Sequence, residues 1–152
     1  MNAPLGKTAG SWTLALVSDD AALHAAVAAM MHAGTTPADL RLVRPREATA
    51  SLREDATDIV LIDADTAGDI AALLAVALLV QTAPVCVLGH RLEPVSAKAK
   101  SLIEGGASLV WGKLSGTADP LLASETGGEL LVRLDAVRSE HRATLIEADA
   151  HG

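Results

Sequence analysis

The stretch Asp58-Ile-Val-Leu-Ile-Asp63 decides the architecture. Four consecutive apolar residues between carboxylates are too few for a helix and lack the alternation of a half-wetted strand. They predict a short strand buried on both faces, the kind found in parallel sheets. Upstream, Thr13-Leu-Ala-Leu-Val17 reads the same way and runs into Ser18-Asp19-Asp20. An Ala-rich helix follows over 21–33, with Gly34 as its stop. Leu40-Arg-Leu-Val43 predicts the next strand and 46–54 a polar helix. Downstream, Asp69 is placed to cap a helix running to Gln81, since an Asp side chain accepts from the free N–H groups of a first turn. Pro84-Val-Cys-Val-Leu-Gly89 is a fourth strand with proline at the permitted first position. Residues 95–104 form a helix ended by Gly105-Gly106, and Ser108-Leu-Val-Trp-Gly112 is a fifth strand leading to Lys113. A loop over 115–127 and a final helix over 129–147 complete the chain.

Strands alternating with helices in this way imply an α/β, doubly wound, five-stranded parallel sheet with helical crossovers on both faces. One domain is expected over residues 13–147, with tails at 1–12 and 148–152. At 152 residues the chain is long enough for one proper core. There is no Phe or Tyr and only Trp12 and Trp111, so that core must be Leu, Val, Ile and Ala.

Composition excludes several functions. The net charge of −7 opposes a broad basic surface for nucleic acid, and Arg41, Arg44 and Arg46 are the only local basic cluster. A single cysteine, Cys86, rules out an internal disulfide and suits a reducing, cytoplasmic compartment. The N-terminus lacks the apolar region of a secretory signal, and the longest apolar run, 11 residues from Ile70 to Val80, is too short to span a bilayer. No nucleotide-binding glycine motif is present, and Ser18 lacks the context of a hydrolase nucleophile. His24 and His32 lie too far apart on one helix to chelate one ion.

In open doubly wound sheets, ligands bind beyond the carboxyl ends of the strands. Asp19 and Asp20 end the first strand, Asp63 ends the third, and Lys113 ends the fifth. Carboxylates gathered there repel one another unless a hard cation joins them, a role that suits Mg²⁺. One Asp can accept a phosphoryl group, and a nearby lysine can neutralise its charge. Any one of these aspartates alone reads more simply as a turn residue or helix cap.

Over about residues 13–147 the chain resembles the receiver domains of bacterial response regulators. The stretches that carry this are Leu16-Val-Ser-Asp-Asp20, Asp58 to Asp63, Pro84 to Gly89, and Gly106-Ala-Ser-Leu-Val-Trp-Gly-Lys113. Gly127-Gly-Glu-Leu-Leu-Val-Arg-Leu134, after its long loop, is most similar to the receiver half of the chemotaxis methylesterase, with no catalytic half following. The resemblance implies a flavodoxin-like sheet of order 2-1-3-4-5. It implies Asp63 as phosphoacceptor, Lys113 in contact with the phosphoryl group, and Mg²⁺ held by Asp19, Asp20, Asp63 and the backbone carbonyl of Asp65. It also implies a histidine kinase or phosphotransfer protein as donor and a downstream protein as recipient of the signal, with no enzymatic output beyond self-phosphorylation and its reversal.

The departures fall in the switch. Gly89 stands where the family has a mobile Thr or Ser, Val110 where it has an aromatic, Leu114 where proline follows the lysine, and Thr66-Ala67 where Met-Pro is usual. Restoring Thr at 89 is therefore expected to strengthen phosphorylation-dependent binding. The alternative is a pseudo-receiver, a binding or scaffold module that works without phosphorylation. The run Ile70 to Val80 is apolar all round as a helix: Ile70, Leu73, Leu74 and Ala77 are expected on the sheet. Ala72, Val76, Leu79 and Val80 are left for neighbouring helices, a partner or a second copy in a homodimer.

Overall fold

The structure, a computed structural model, describes residues 12–33, 38–90, 92, 95–113 and 124–151; the side chains of residues 33, 38, 113, 124–129 and 145–151 lie outside that description. The elements run β1 (Trp12–Val17), α1 (Ala21–Ala33), β2 (Ala38–Val43), a 3-10 turn (Pro45–Glu47), α2 (Ala48–Glu54), β3 (Ile59–Asp63), α3 (Ile70–Val80), β4 (Val85–His90), α4 (Ala97–Glu104), β5 (Leu109–Lys113) and α5 (Ser124–His151). The five strands form one sheet in the order β2-β1-β3-β4-β5, and every pair is parallel. Both expectations, the doubly wound sheet and its strand order, hold.

Alternating strand positions feed two cores. Trp12, Leu14, Leu16, Ile59, Leu61, Cys86, Leu88 and Leu109 point to one face and pack with Leu23 and Val27 of α1 and Leu130 and Leu134 of α5. Ala15, Val17, Val60, Ile62, Val85, Val87 and Val110 point to the other, under Leu52 of α2, Leu74 and Ala77 of α3, and Ala99 and Leu102 of α4. Each fully buried Leu or Ile contributes about 1.5–3 kcal/mol of transfer free energy, so an aliphatic core without Phe or Tyr is sufficient here. Burial pushes the Cys86 thiol from 9.0 up to about 12, the behaviour of an inert core residue.

Local chemistry sets the element ends. Asp69 caps α3 by accepting from the Ala72 N–H at 3.1 Å, as expected. Ser96 caps α4 by accepting from the Ala99 N–H at 3.1 Å, which starts that helix at Ala97, two residues after the expected Val95. After α4 the chain turns through Gly106 at φ +115°, where a Cβ would sit 2.5 Å from Leu78 Cδ1. The last helix differs most from expectation: its 28 residues start at Ser124, inside the expected loop, and end at His151. Gly127-Gly128 has low helix propensity, which placed the sequence boundary after it, whereas the chain from Glu129 to His151 contains no helix breaker. Residues 148–151, within the expected C-terminal tail, continue this helix, and residue 152 lies outside the described residues. Residues 114–123, including Leu114 and most of the expected loop, and residues 1–11 of the expected N-terminal tail, lie outside the described residues. Among the described residues no helix is long and apolar enough to cross a membrane.

Candidate functional site

The sheet register fixes what faces what at the carboxyl ends of the strands. Val17 of β1 pairs with Ile62 of β3, so the next residue on each strand, Ser18 and Asp63, lie side by side. Both are fully buried. The Ser18 hydroxyl donates to Asp63 Oδ2 at 2.7 Å and accepts from the Asp20 N–H at 3.0 Å. The Thr66 hydroxyl donates to the same Asp63 oxygen at 3.2 Å and accepts from the Asp19 N–H at 3.1 Å. The other oxygen, Oδ1, accepts from the Asp65 N–H at 3.1 Å. Asp63 is thus enclosed by donors from both the β1–α1 and β3–α3 turns, the arrangement a buried carboxylate requires.

The neighbouring aspartates have other work. Asp20 Oδ1 accepts from the N–H groups of Ala22 at 2.9 Å and Leu23 at 3.3 Å, which makes it the cap of α1. Asp19 is exposed, and its backbone, not its side chain, joins the Thr66 hydroxyl. Of the expected set of Asp19, Asp20, Asp63 and the Asp65 backbone carbonyl, the three carboxylates do not form one cluster: among the described residues no three His, Cys, Asp or Glu side chains converge closely enough to hold a metal ion. The donor set does not fit a cation held by three carboxylates. Ser18, whose sequence context does not fit a hydrolase nucleophile, is the residue that faces Asp63. The sequence carried no signal for this pairing, because it follows from the β1–β3 register, in which Val17 pairs with Ile62 and the first residue past Val17 meets Asp63.

A second group lies at the mouth. Asp65 accepts from the His90 N–H through both carboxylate oxygens, at 3.1 and 3.2 Å, and its Oδ2 lies 2.7 Å from His90 Nδ1. This pair ties the turn after β3 to the end of β4. His90 is half exposed, at 53% of its side chain. Gly89 is what lets them meet. A Cβ there would lie 3.0 Å from Ala64 Cβ, 3.1 Å from Leu92 Cδ1 and 3.3 Å from Asp65 Oδ1. Gly89 is therefore more than a missing hydroxyl: its position is filled by neighbours. Val110, the other switch position, is 7% exposed and packed in the core beneath α2, α3 and α4, while Trp111 points to the opposite face. Lys113 ends β5 in register with His90; its side chain lies outside the described residues. His24 Nε2 contacts the Ser18 carbonyl at 2.8 Å and so supports the same turn.

A scan of protein-family models finds no match, and no curated protein is similar enough to count as a relative. Solved structures do match. The response regulator domain of Thermotoga maritima CheB superposes with a TM-score of 0.70 at 15% identity, covering 85% of this chain and 97% of that one. The chain has the receiver-domain fold. CheY6 from R. sphaeroides, solved in complex with the P1 domain of CheA3, gives a TM-score of 0.67 at 24% identity, covering 84% of this chain and 97% of that one. The Mn²⁺-bound form of response regulator Rcp1 gives 0.62 at 20% identity, covering 76% of this chain and 90% of that one. At these identities the likeness is one of fold.

Proposed function

We infer that this chain is a receiver-like signalling module that acts through protein contact without phosphorylation, as a pseudo-receiver. One observation carries this reading: Asp63 is fully buried and accepts from the Ser18 and Thr66 hydroxyls and the Asp65 N–H. A phosphoryl acceptor needs an oxygen that can reach the donor phosphorus, and here both carboxylate oxygens already accept from neighbours within the chain. The switch positions support the same reading, because Gly89 carries no hydroxyl and is closely surrounded by Ala64, Leu92 and Asp65, and Val110 is buried in the core. A net charge of −7 turns the search for partners toward proteins rather than nucleic acid. The uncharged outer side of α3, with Leu79 85% exposed, is the surface on which to seek a partner or second copy. A reducing, cytoplasmic setting suits the single thiol.

A second reading has its own observation. Asp63 and Lys113 end the third and fifth strands of a 2-1-3-4-5 sheet, at the edge where doubly wound folds bind ligands. CheY6, a structural neighbour, was solved with a domain of CheA3. On this reading a histidine kinase or phosphotransfer protein phosphorylates Asp63, with Mg²⁺ held by Asp19, Asp20, Asp63 and the Asp65 carbonyl, and Lys113 on the phosphoryl group. The hydroxyls on Asp63 would then have to leave first. The two readings separate by intact mass after incubation with Mg²⁺ and a small phosphodonor. The first expects no phosphoryl increment; an increment that disappears in Asp63→Asn establishes the second.

A further inference from the structure

The resemblance to receiver domains leads one to expect a divalent cation beside Asp63, yet among the described residues no three carboxylates gather there. One of the residues that hold Asp63 stands out. Ser18 occupies the position directly across from Asp63 in the β1–β3 register, is fully buried, and directs its hydroxyl at 2.7 Å onto Asp63 Oδ2. An O–H···O⁻ contact of that length occupies one of the lone-pair sites a cation would otherwise take. The same hydroxyl accepts from the Asp20 N–H, and that turn lets the Asp20 carboxylate cap α1. Thr66 reinforces the arrangement from the β3–α3 side.

We propose that Ser18 is the residue that withholds divalent-cation affinity from this site: its hydroxyl does the work of the cation, joining the β1–α1 turn to Asp63 without a metal. This rests on the reading of Asp63 as a closed carboxylate. Replacing the hydroxyl by a carboxylate at the same position sets two like charges against each other at hydrogen-bond distance. That pair is relieved by a shared proton or a shared cation, and to a cation the exposed Asp19 next along the chain adds a third oxygen donor. Removing the hydroxyl without adding charge opens one lone-pair site on Asp63 Oδ2, beside the Thr66 hydroxyl that stays on the same oxygen, and a cation can take that site.

The test is Mn²⁺ binding by the full chain, followed by the paramagnetic signal of free Mn²⁺, for the native protein, Ser18→Asp and Ser18→Ala, with thermal midpoints measured in parallel. A carboxylate at position 18 places a second charged oxygen ligand beside Asp63, so Ser18→Asp binds Mn²⁺ saturably at concentrations where the native chain shows no saturable binding. Should Ser18→Asp not fold, Ser18→Ala decides: its midpoint rises with Mn²⁺ and the native midpoint does not. Native binding as tight as that of Ser18→Asp overturns the proposal, as does the absence of any Mn²⁺ effect on either variant. Phosphorylation of the native chain is a separate outcome. It overturns the reading of Asp63 as closed, whereas a cation-blind variant set with no native phosphorylation overturns only the role given to Ser18.

Discussion

Ser18→Ala removes a 2.7 Å hydrogen bond from a fully buried carboxylate. Hydrogen bonds to charged groups contribute about 1.5–3 kcal/mol, and the upper part of that range belongs to buried acceptors left short of a partner. The Asp20 N–H also loses its acceptor, but Asp20 is only half buried, so water replaces most of that contact. The missing oxygen leaves a void smaller than a methyl group, which adds little. We expect a loss of about 2 kcal/mol, the middle of the range for one charge-assisted bond. At roughly 2–4 °C per kcal/mol for a domain of this size, the thermal midpoint falls by about 4–8 °C. The assay is urea unfolding followed by tryptophan fluorescence, for which fully buried Trp12 is a native-state reporter. Thr66→Ala removes a longer bond, 3.2 Å, from a half-buried residue and should cost less. Because both hydroxyls donate to the same Oδ2, the double variant should deviate from additivity by about 0.5 kcal/mol or more. A Ser18→Ala change within about 0.5 kcal/mol of native, the scatter of ordinary surface substitutions, would refute the reasoning, since a hydroxyl so placed cannot be dispensable if it holds Asp63.

Gly89→Ala should lower stability by about 1–2 kcal/mol, because the new methyl meets Ala64 and Leu92 at 3.0 and 3.1 Å. Gly89→Thr should lose more rather than gain switching, and a neutral Gly89→Ala in the same urea assay would show that the pocket has room. On α3, Leu74→Ala should cost about 2–5 kcal/mol by cavity formation, whereas Leu79→Ala, 85% exposed, should stay within about 0.5 kcal/mol; equal losses would mean that the helix faces are misassigned. The Cys86 thiol, raised to about 12 by burial, stays protonated in the folded state while the unfolded chain ionises from 9.0 upward. Its contribution to stability is therefore complete below pH 9.0 and is lost as pH climbs toward about 12. Native protein at mildly alkaline pH should not react with an aromatic disulfide reagent until urea is added; prompt reaction would contradict the burial.

The parts of this structure legible in the sequence are those set by local patterning. Asp58 to Asp63 could only be a doubly buried strand, and the apolar run after Asp69 needed a cap, which Asp69 supplies. The doubly wound sheet followed from that rhythm, and its order from the resemblance. The start of α5 was not legible, because Gly127-Gly128 weighs against a helix that the rest of the segment sustains. The site was half legible. Asp63 was visible as the residue ending β3, but the identity of its neighbours depends on β1–β3 register, which composition does not reveal. Counting acidic residues favoured Asp19 and Asp20, when the residue across from Asp63 is the polar but uncharged Ser18. The Asp65–His90 tie depends on Gly89 leaving space between two strands, a close approach seen only in three dimensions.

The central claim, that Asp63 is closed by its own neighbours, has two built-in reporters: the Asp65 N–H on Asp63 Oδ1 and the Asp20 N–H on the Ser18 hydroxyl. Amide NMR spectra of the native chain, titrated with Mg²⁺ and beryllium fluoride as a phosphoryl mimic, read both directly. The account predicts that neither resonance moves. Saturable shifts of both, abolished in Asp63→Asn, would contradict it and show an open acceptor carboxylate.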